Sequence, residues 1–284
     1  MKVITNQYPN SVIVNLKNKD WLENQRVAGR VVAETLLLLE NQVKNKTTLS
    51  MIELNQLAEE HIYKNYCTPT FKNYGPPSKP FPAGVCISIN KQLVHGVPTD
   101  YKLQEGDVVS FDLGATYDGA IADSALTLIY GEPKNQQHVK LIAACEEALM
   151  KGIAAVAVGK RLGCIGNAIW KSCKGNGFQV VTQYGGHGLD WYKPHASPFV
   201  ENKSTPDTGI RIKAGLSIAI EPMLLPTDTK TTIAEDGWTV MTKEIGSHHE
   251  HSIFVHEDSV EILTWRGNES YLKTNRIYFN KSTA

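Results

Sequence analysis

Five side chains of the kinds that bind metal ions lie along the chain in the order Asp, Asp, His, Glu, Glu, at Asp112, Asp123, His187, Glu221 and Glu250. Four of them are carboxylates and only one is an imidazole. Such a set suits a pair of hard divalent ions better than one structural zinc ion. Two metal ions held close together can bind one hydroxide and direct it at a carbonyl carbon. The residue types therefore point to metal-assisted hydrolysis.

The first two carboxylates lie in a predicted β-hairpin. Asp112 lies near the end of an apolar strand over 106–114, the segment 117–119 can reverse the chain, and Asp123 lies on the return strand over 120–130. Pairing of the strands could bring both carboxylates to the same height on one face, where their repulsion would need a cation. Taken alone, the pair is better explained as turn and cap residues.

The sequence contexts of the other three candidates support a metal-binding role to different degrees. His187 is flanked by glycines, which allow unusual backbone angles and leave space around the imidazole, although a histidine in a glycine turn explains it equally well. Glu221 ends an apolar run, where a carboxylate is unusual without a partner. Alternation places Glu250 on one strand face and His249 and His251 on the other. A hydrophilic strand edge is the alternative explanation for this last segment.

The elements that position these residues follow from hydrophobic periodicity and from glycine and proline punctuation. Asp20 is expected to cap the first helix, and Ser50 with Glu53 has the spacing of a capping box. The residues before that helix are expected to form a short extended arm. We predict helices over 20–45, from 50, over 134–157 and over 164–174, a loop over 68–84, and strands over 85–89, 106–114, 120–130 and from 178 to 264.

The two halves of the chain echo each other. Gly106 leads a strand that reaches Asp112, and Gly215 leads a strand that reaches Glu221 after the same number of residues. This suggests a duplicated α/β half with the site at the junction. Glycine before a strand is common, so coincidence explains this echo equally well.

The composition of the chain limits the kinds of molecule that it is expected to bind. The chain has 284 residues, 42% hydrophobic and 20% charged, as in an ordinary soluble globular protein. Lys+Arg and Asp+Glu are both 29, so we expect no general binding to nucleic acid and no membrane association. Five cysteines without a CxxC pair argue against a disulfide framework and favour a reducing compartment. The chain start lacks the apolar core of a signal peptide, and the expected location is cytoplasmic.

Taken together, these segments resemble the methionine aminopeptidases of the type I, bacterial-like class. The resemblance covers roughly residues 20–264, and the order and spacing of its motifs are highly specific. Besides Asp112 and the Asp-Ser pair at 123–124, the motifs are VCISIN at 85–90, HGVP at 95–98, EGD at 105–107, GHG at 186–188, IEPM at 220–223, DGWT at 236–239 and EHSI at 250–253.

The resemblance implies an α+β pita-bread fold, in which pseudo-twofold duplicated α/β halves enclose a curved antiparallel sheet with helices outside. It implies removal of the initiator methionine from nascent proteins when the second residue is small. The expected partners are peptides and nascent chains that begin with methionine, met at the ribosome, and the expected state is a monomer. The domains are an arm over 1–19, a catalytic domain over 20–264 and a tail over 265–284.

By the same resemblance, Asp112, Asp123 and Glu250 would hold one divalent ion. Asp123, His187, Glu221 and Glu250 would hold a second. The metals could be manganese, iron(II), cobalt or zinc, because the ligands do not select among them. A water between the ions would attack the first peptide carbonyl, and Glu221 would shuttle its proton.

The resemblance also assigns substrate-binding residues. His95 would lie near the scissile amide, and His195 would steady the tetrahedral oxyanion. The methionine pocket would suit an unbranched thioether, because aromatic and sulfur contacts are favourable there. Its walls would come from Tyr74, Phe81, Cys86 and Trp238.

This chain departs from the family pattern at several positions. Residues 121–122 are Ile-Ala where the family usually has His-Gly, and residues 190–191 are Asp-Trp where small residues are usual. His195 lies one residue later than usual. The segment 74–81 is about four residues longer, and Phe81 stands where tyrosine is frequent. These departures concern pocket shape and rate more than metal binding.

Two other functions remain compatible with the pattern. X-Pro aminopeptidases and prolidases share the expected fold, but they normally carry a large extra N-terminal domain for which this chain has no room. A non-enzymatic binding protein on the same fold is the second alternative. Such relatives usually lose metal ligands, and none of the five is lost here.

Overall fold

A computed structural model describes residues 2–5, 12–267 and 274–279, which form four helices and eighteen strands. The helices are α1 (Lys19–Lys44), α2 (Met51–Lys64), α3 (Gln136–Ala154) and α4 (Gly163–Gly175). The strands are β1 (Lys2–Thr5), β2 (Val12–Asn15), β3 (Thr68–Pro69), β4 (Val85–Ile89), β5 (Gln92–Val94), β6 (Val108–Tyr117), β7 (Ala120–Ile129), β8 (Gln179–Val180), β9 (Gly186–Asp190), β10 (Lys193–Val200), β11 (Ser217–Ile220), β12 (Met223–Leu225), β13 (Thr231–Ile233), β14 (Val240–Thr242), β15 (Ser247–His248), β16 (Glu250–Val255), β17 (Ser259–Ile262) and β18 (Arg276–Tyr278).

Side-chain caps fix the starts of the first two helices. The α1 cap is Asn18, whose side chain accepts a hydrogen bond from the backbone N–H of Trp21 at 2.9 Å. Asp20, the expected cap, lies in the first turn instead, where a carboxylate still suits the helix dipole. The capping box predicted at α2 is confirmed, because Ser50 and Glu53 exchange both hydrogen bonds. Helix boundaries elsewhere differ from the prediction by a few residues.

One large antiparallel sheet runs through both halves of the molecule. Its strand order is β10-β9-β11-β16-β7-β6-β3, with β4 paired to β6 and β17 to β16. The halves meet where β16 pairs with β7. Helices α1 and α2 share one apolar core with β4 and β6, whereas α3 and α4 share another with β11 and β16. No described helix is long and apolar enough to cross a membrane.

The β6–β7 hairpin holds the two aspartates on one face but not side by side. Asp112 pairs with Ala125, and Asp123 pairs with Gly114. The carboxylates are therefore diagonal neighbours, offset by one pleat, rather than at the same height as expected. The chain reverses at Asp118 and Gly119, whose φ values of 43° and 78° fit the left-handed conformation of a tight hairpin turn.

The residues before α1 differ from the expected extended arm. β1 and β2 pair as an antiparallel hairpin, and Val14 of β2 is buried in the core shared with α3 and α4. Lys17 and Asn15 both contact the Asp190 carboxylate, at 2.5 and 2.6 Å. Two features explain the hairpin. The residues of β2 are mostly β-branched, which favours a strand, and Asp190, far along the chain, binds the segment that follows.

The C-terminal segment adds a strand to the sheet. β18 pairs with β17, although it lies in the part of the chain expected to be a tail. Residues 268–273 and 280–284 of that segment lie outside the described residues. The domain boundaries at 19/20 and 264/265 stay predictions.

Two of the cysteines are buried in the helices of the second half. Cys145 lies in α3 and Cys173 in α4. Burial raises the pKa of both thiols to about 12. Neither thiol is therefore a thiolate near neutral pH.

Candidate metal centre and its cavity

The structure brings the five predicted ligands together. Nε2 of His187 lies 3.5 Å from a carboxylate oxygen of Glu221 and 3.8 Å from oxygens of both Asp123 and Glu250. Ligand oxygens of Asp112, Asp123 and Glu250 all lie within 4.8 Å of one another. All five side chains are buried at the junction of the two halves.

Strand register explains how three of the carboxylates converge. Ala125 on β7 pairs with Asp112 on β6 and with Glu250 on β16, so these three residues form one row across the sheet. Asp123 lies two residues before Ala125 and shares its face, because side chains alternate along a strand. The small alanine side chain leaves the space between the carboxylates open.

His187 and Glu221 approach from the other half. Glu221 follows the last residue of β11, and its backbone carbonyl accepts a hydrogen bond from Asn202 at 3.0 Å. His187 lies on β9 between two glycines. Their φ values are ordinary, but a Cβ at Gly186 or Gly188 would lie 2.3 or 2.0 Å from a backbone oxygen. The glycines are required for close packing of strands, not for the unusual backbone angles expected from sequence.

Among the described residues, no positively charged side chain compensates the charge of the carboxylates. Burial, followed by the charge of neighbouring carboxylates, raises the pKa of Asp112, Glu221 and Glu250 well above the usual range. Burial raises the pKa of Asp123 to about 7 and lowers that of His187 to about 3. Within residues 12–267, no Lys or Arg forms an ion pair with any of the four, and His187 is neutral near pH 7.

Unpartnered oxygens support the same conclusion. Oδ1 of Asp112, Oδ1 of Asp123 and Oε1 of Glu250 are buried without a hydrogen-bond partner among the described residues. Buried charge without a partner is costly, unless a metal ion coordinates it. Four carboxylates and one neutral imidazole are the donor set that a hard divalent cation prefers. The residues present therefore fit a divalent metal.

A cavity of about 360 Å³ opens onto these ligands. Phe81 and Trp238 meet edge to face with their ring centroids 5.5 Å apart. Cys86 pairs with Asp112 across β4 and β6, which sets the thiol beside the carboxylate cluster. Burial raises the pKa of that thiol, so it acts as an apolar wall. The expected substrate-binding residues that line this cavity are Tyr74, Phe81, Cys86, His95, His195 and Trp238.

The two other predicted histidines both line the cavity. His95 has a φ of 57°, and its ring centroid lies 6.0 Å from that of Tyr184. Burial lowers the pKa of His95 to about 4, which keeps it neutral. His195 lies at the rim, with its ring centroid 4.6 Å from that of His187. Irregular β9–β10 pairing on both sides of Ala196 accommodates the one-residue shift of His195.

The departures from the family pattern lie beside the ligands rather than among them. Asp190 binds the segment before α1, and the ring of Trp191 packs edge-on against Trp21 at 4.7 Å. Ile121 is buried in the same cluster as Trp21. Asp190 therefore joins the N-terminal segment to the end of β9, the strand that carries His187, whereas Trp191 and Ile121 pack against α1.

Sequence reasoning missed one buried histidine. His248 is 1% exposed, and its Nε2 lies 3.4 Å from Oε2 of Glu221. Both of its ring nitrogens lack a hydrogen-bond partner among the described residues. Side chains alternate along a strand, so the pattern that places His249 and His251 on the face away from Glu250 places His248 on the same face as Glu250. This alternation could have identified His248 from the sequence. The cavity residues Phe71, Tyr184, Phe199 and Met223 were also missed, because distant segments supply them.

A buried cluster of four carboxylates and one imidazole that opens into a cavity is the arrangement expected of a metal-dependent hydrolase. The model of metallopeptidase family M24 matches residues 23–257, and the chain belongs to that family. Membership implies divalent metal, and the expected α+β pita-bread fold and metallopeptidase class are confirmed.

The chain is similar over most of its length to proteins named methionine aminopeptidase. It is 40% identical to that of Mycoplasma capricolum over 254 residues, 89% of this chain and 98% of the relative. It is 38% identical to that of Clostridium perfringens over 89% of this chain and 99% of the relative. The crystal structure of methionine aminopeptidase from Rickettsia prowazekii matches this structure with a TM-score of 0.83 at 32% identity. The match covers 89% of this chain and 100% of that one.

Relatives of the alternative class share only the fold. The prolidase from Pyrococcus furiosus has a TM-score of 0.67 at 20% identity, and the match covers 65% of its chain. At this low sequence identity, the shared fold gives no reason to assign an X-Pro substrate to this chain.

Proposed function

We propose that this protein removes the N-terminal methionine from peptides and nascent chains whose second residue is small. The observation that carries the proposal is the cluster of four buried carboxylates and His187, opening into a cavity walled by Phe81, Cys86 and Trp238. The similarity to methionine aminopeptidases over nearly their whole length supports the same substrate.

Two divalent ions fit the donor geometry. Asp112, Asp123 and Glu250 form one compact group, and His187, Glu221 and Glu250 form another. Glu250 belongs to both groups and Asp123 lies within reach of His187, so these two carboxylates are the candidates to bridge. When bound, the metal supplies Lewis-acid activation of water and of the peptide carbonyl. Manganese, iron(II), cobalt and zinc all suit these ligands.

The chain's own residues supply orientation and proton transfer. Glu221 is the candidate to carry a proton from the attacking water to the leaving amine, because it belongs to the ligand cluster and its carboxyl group also lines the cavity. His95, kept neutral by burial, can donate a hydrogen bond near the scissile amide. His195 at the rim is the candidate donor to the developing oxyanion.

The apolar half of the cavity suits a thioether. Phe81, Trp238 and Cys86 form a compact buried wall together with Phe71. Sulfur contacts with aromatic ring edges are favourable, and an unbranched side chain fits an irregular gap more easily than a branched one. The restriction to a small second residue rests on the similarity to the family. We further propose that the protein is a cytoplasmic monomer that meets its substrates at the ribosome.

Peptide cleavage tests this proposal directly. The purified protein with manganese is expected to release methionine from Met-Ala-Ser, much more slowly from Met-Val and Met-Lys peptides, and to leave X-Pro peptides intact. Glu221→Gln is the matched inactive control. Equal rates on all the methionine peptides would contradict the assigned specificity, and preferential cleavage of X-Pro peptides would favour the alternative class.

A further inference from the structure

Three side chains hold the imidazole of His195 in place. The hydroxyl of Tyr74 lies 2.7 Å from Nδ1 of His195. The ring of Phe71 lies nearly parallel to the imidazole, with centroids 6.5 Å apart and planes inclined by 10°. The ring of His187 meets the imidazole of His195 edge to face, with centroids 4.6 Å apart. Two of the three contacts come from one short segment, so this segment fixes the ring orientation.

The backbone around Tyr74 aims its side chain at His195. Asn73 and Gly75 on either side have φ values of 66° and 100°, in the left-handed region. Phe81 donates its backbone N–H to the carbonyl of Tyr74 at 2.8 Å, which closes the longer loop. A Cβ at Gly75 would lie 2.5 Å from the indole of Trp238. The loop is therefore packed against the cavity wall.

The direction of the hydrogen bond decides what His195 can do. Burial raises the pKa of Tyr74, so its phenol stays protonated and can donate. The bare nitrogen of a neutral imidazole is a better acceptor than a phenol oxygen. When Nδ1 accepts, the single ring proton resides on Nε2. One ring nitrogen of His195 lies within 4.8 Å of ligand atoms of Asp123 and His187.

We propose that Tyr74 is a positioning residue, which donates a hydrogen bond to Nδ1 of His195 and fixes the tautomer protonated at Nε2. His195 then presents an N–H donor to the carbonyl oxygen of the bound substrate, a role that rests on the proposed function. The same tautomer excludes His195 from the metal ligands, although it lies within reach, because a protonated nitrogen has no lone pair to donate. Tyr74 therefore acts on the reaction through His195, and not only as a pocket wall.

Nitrogen NMR of the metal-free full chain tests the tautomer without any need for activity. With 15N-labelled histidine, we expect Nε2 of His195 to show the shift of an N–H and Nδ1 that of an acceptor, assigned by loss of the signal in His195→Gln. In Tyr74→Phe, which keeps the ring, the signal should change to a mixture of tautomers. A proton on Nδ1 in the wild type, or an unchanged tautomer in Tyr74→Phe, would overturn the proposal. Failure of the peptidase assay would not alter this readout.

Kinetics test the consequence. Tyr74→Phe should lower kcat about 10-fold, the value of one hydrogen bond of ordinary strength, with KM within about twofold. Adding Tyr74→Phe to His195→Gln should then cost less than about twofold, because the residue through which Tyr74 acts is absent. A full additional 10-fold loss in that background would show that Tyr74 acts independently of His195. The control is Tyr66→Phe, at a tyrosine that is 89% exposed, and no change is expected.

Discussion

One buried carboxylate, Glu261, and the four clustered carboxylates of the candidate metal centre have opposite electrostatic surroundings. Glu261 on β17 accepts hydrogen bonds from Arg26 at 2.7 and 2.9 Å and from Arg276 at 2.8 Å, and it lies 2.7 Å from His256. Although burial opposes the shift, these partners lower the pKa of Glu261 to about 2. At the junction of the halves, the pKa of all four clustered carboxylates is raised instead.

Neighbouring cations distinguish the two sites. Glu261 has two guanidinium groups from α1 and β18, so this ion cluster is complete within the chain and ties both elements to the large sheet. The carboxylates of the candidate metal centre have no such partner among the described residues. A buried charge cluster without its cation costs stability. We interpret this cost as the signature of a site that a metal ion completes.

The largest expected effect comes from removing one charge from the candidate metal centre. Asp112→Asn and Glu221→Gln should each lower methionine release roughly 1000-fold, because each removes a candidate ligand from the group that activates water. The metal-free variants should melt at or above the wild-type temperature, since they lose a repelling carboxylate. Methionine release and thermal melting measure both effects. Near wild-type activity in either variant would show that the site is wrongly assigned.

Metal addition should stabilise the protein by an amount set by mass action. At a free manganese concentration about 100 times the Kd, the free energy of unfolding should rise by about 2.7 kcal/mol. Melting with and without the metal, after chelator treatment, gives the value. The Glu261→Gln variant should show the same metal-induced rise in the free energy of unfolding as the wild type, whereas Asp112→Asn should lose most of this rise. An equal increment in both variants would place the bound metal elsewhere.

Removal of the paired carboxylate should weaken the fold and spare the chemistry. Glu261→Gln should lower the free energy of unfolding by about 2 kcal/mol near pH 7, because two guanidinium groups lose their partner. The folded pKa lies below the unfolded one, so the difference from wild type is fully present above about pH 4.5. It should disappear as the pH falls toward about 2. Denaturant titrations across this range, with activity per folded molecule as the control, measure it.

The smallest effect is expected at a partly exposed ion pair. Asp190→Asn removes the negative charge from the contact with Lys17 that holds the N-terminal hairpin against β9. Asp190 is the more exposed partner, and asparagine keeps one side-chain oxygen as an acceptor for Lys17, so the loss should be about 1 kcal/mol. Denaturant unfolding gives the value, with Asp118→Asn, in the exposed turn of the β6–β7 hairpin, as a surface control. A loss larger than that of Glu261→Gln would reverse the order that the two environments predict.

Features encoded locally could be predicted from the sequence. The capping box of Ser50 and Glu53, the hairpin turn at Asp118 and Gly119, and the strand that ends before Glu221 all depend on neighbours within a few residues. Asp112 and Glu221 were found because each lies at or near the end of an apolar strand, and His187 because it lies between two glycines. Asp123 and Glu250 were found from their residue types and spacing. The grouping of these residues in space agrees with that prediction, and their individual roles stay proposals.

Features that depend on distant segments could not be predicted. The hydrogen bond between Tyr74 and His195 joins residues 121 positions apart, and no local pattern encodes it. The same applies to the contact of Lys17 with Asp190 and to the place of His248 beside Glu221. The glycines beside His187 were found from sequence, but their physical reason, a backbone oxygen of a neighbouring strand, was visible only in the fold.

The most direct test measures methionine release against the number of metal ions bound per chain. The protein is stripped with chelator and titrated with manganese, cobalt or iron(II), with Met-Ala-Ser as substrate and calorimetry as the measure of binding. We expect no release from the stripped protein, recovery as up to two ions bind, and neither high-affinity binding nor release in the Asp112→Asn, Glu221→Gln double variant. Full-rate release in the presence of chelator, or unchanged metal binding by the double variant, would contradict the assignment of the metal centre.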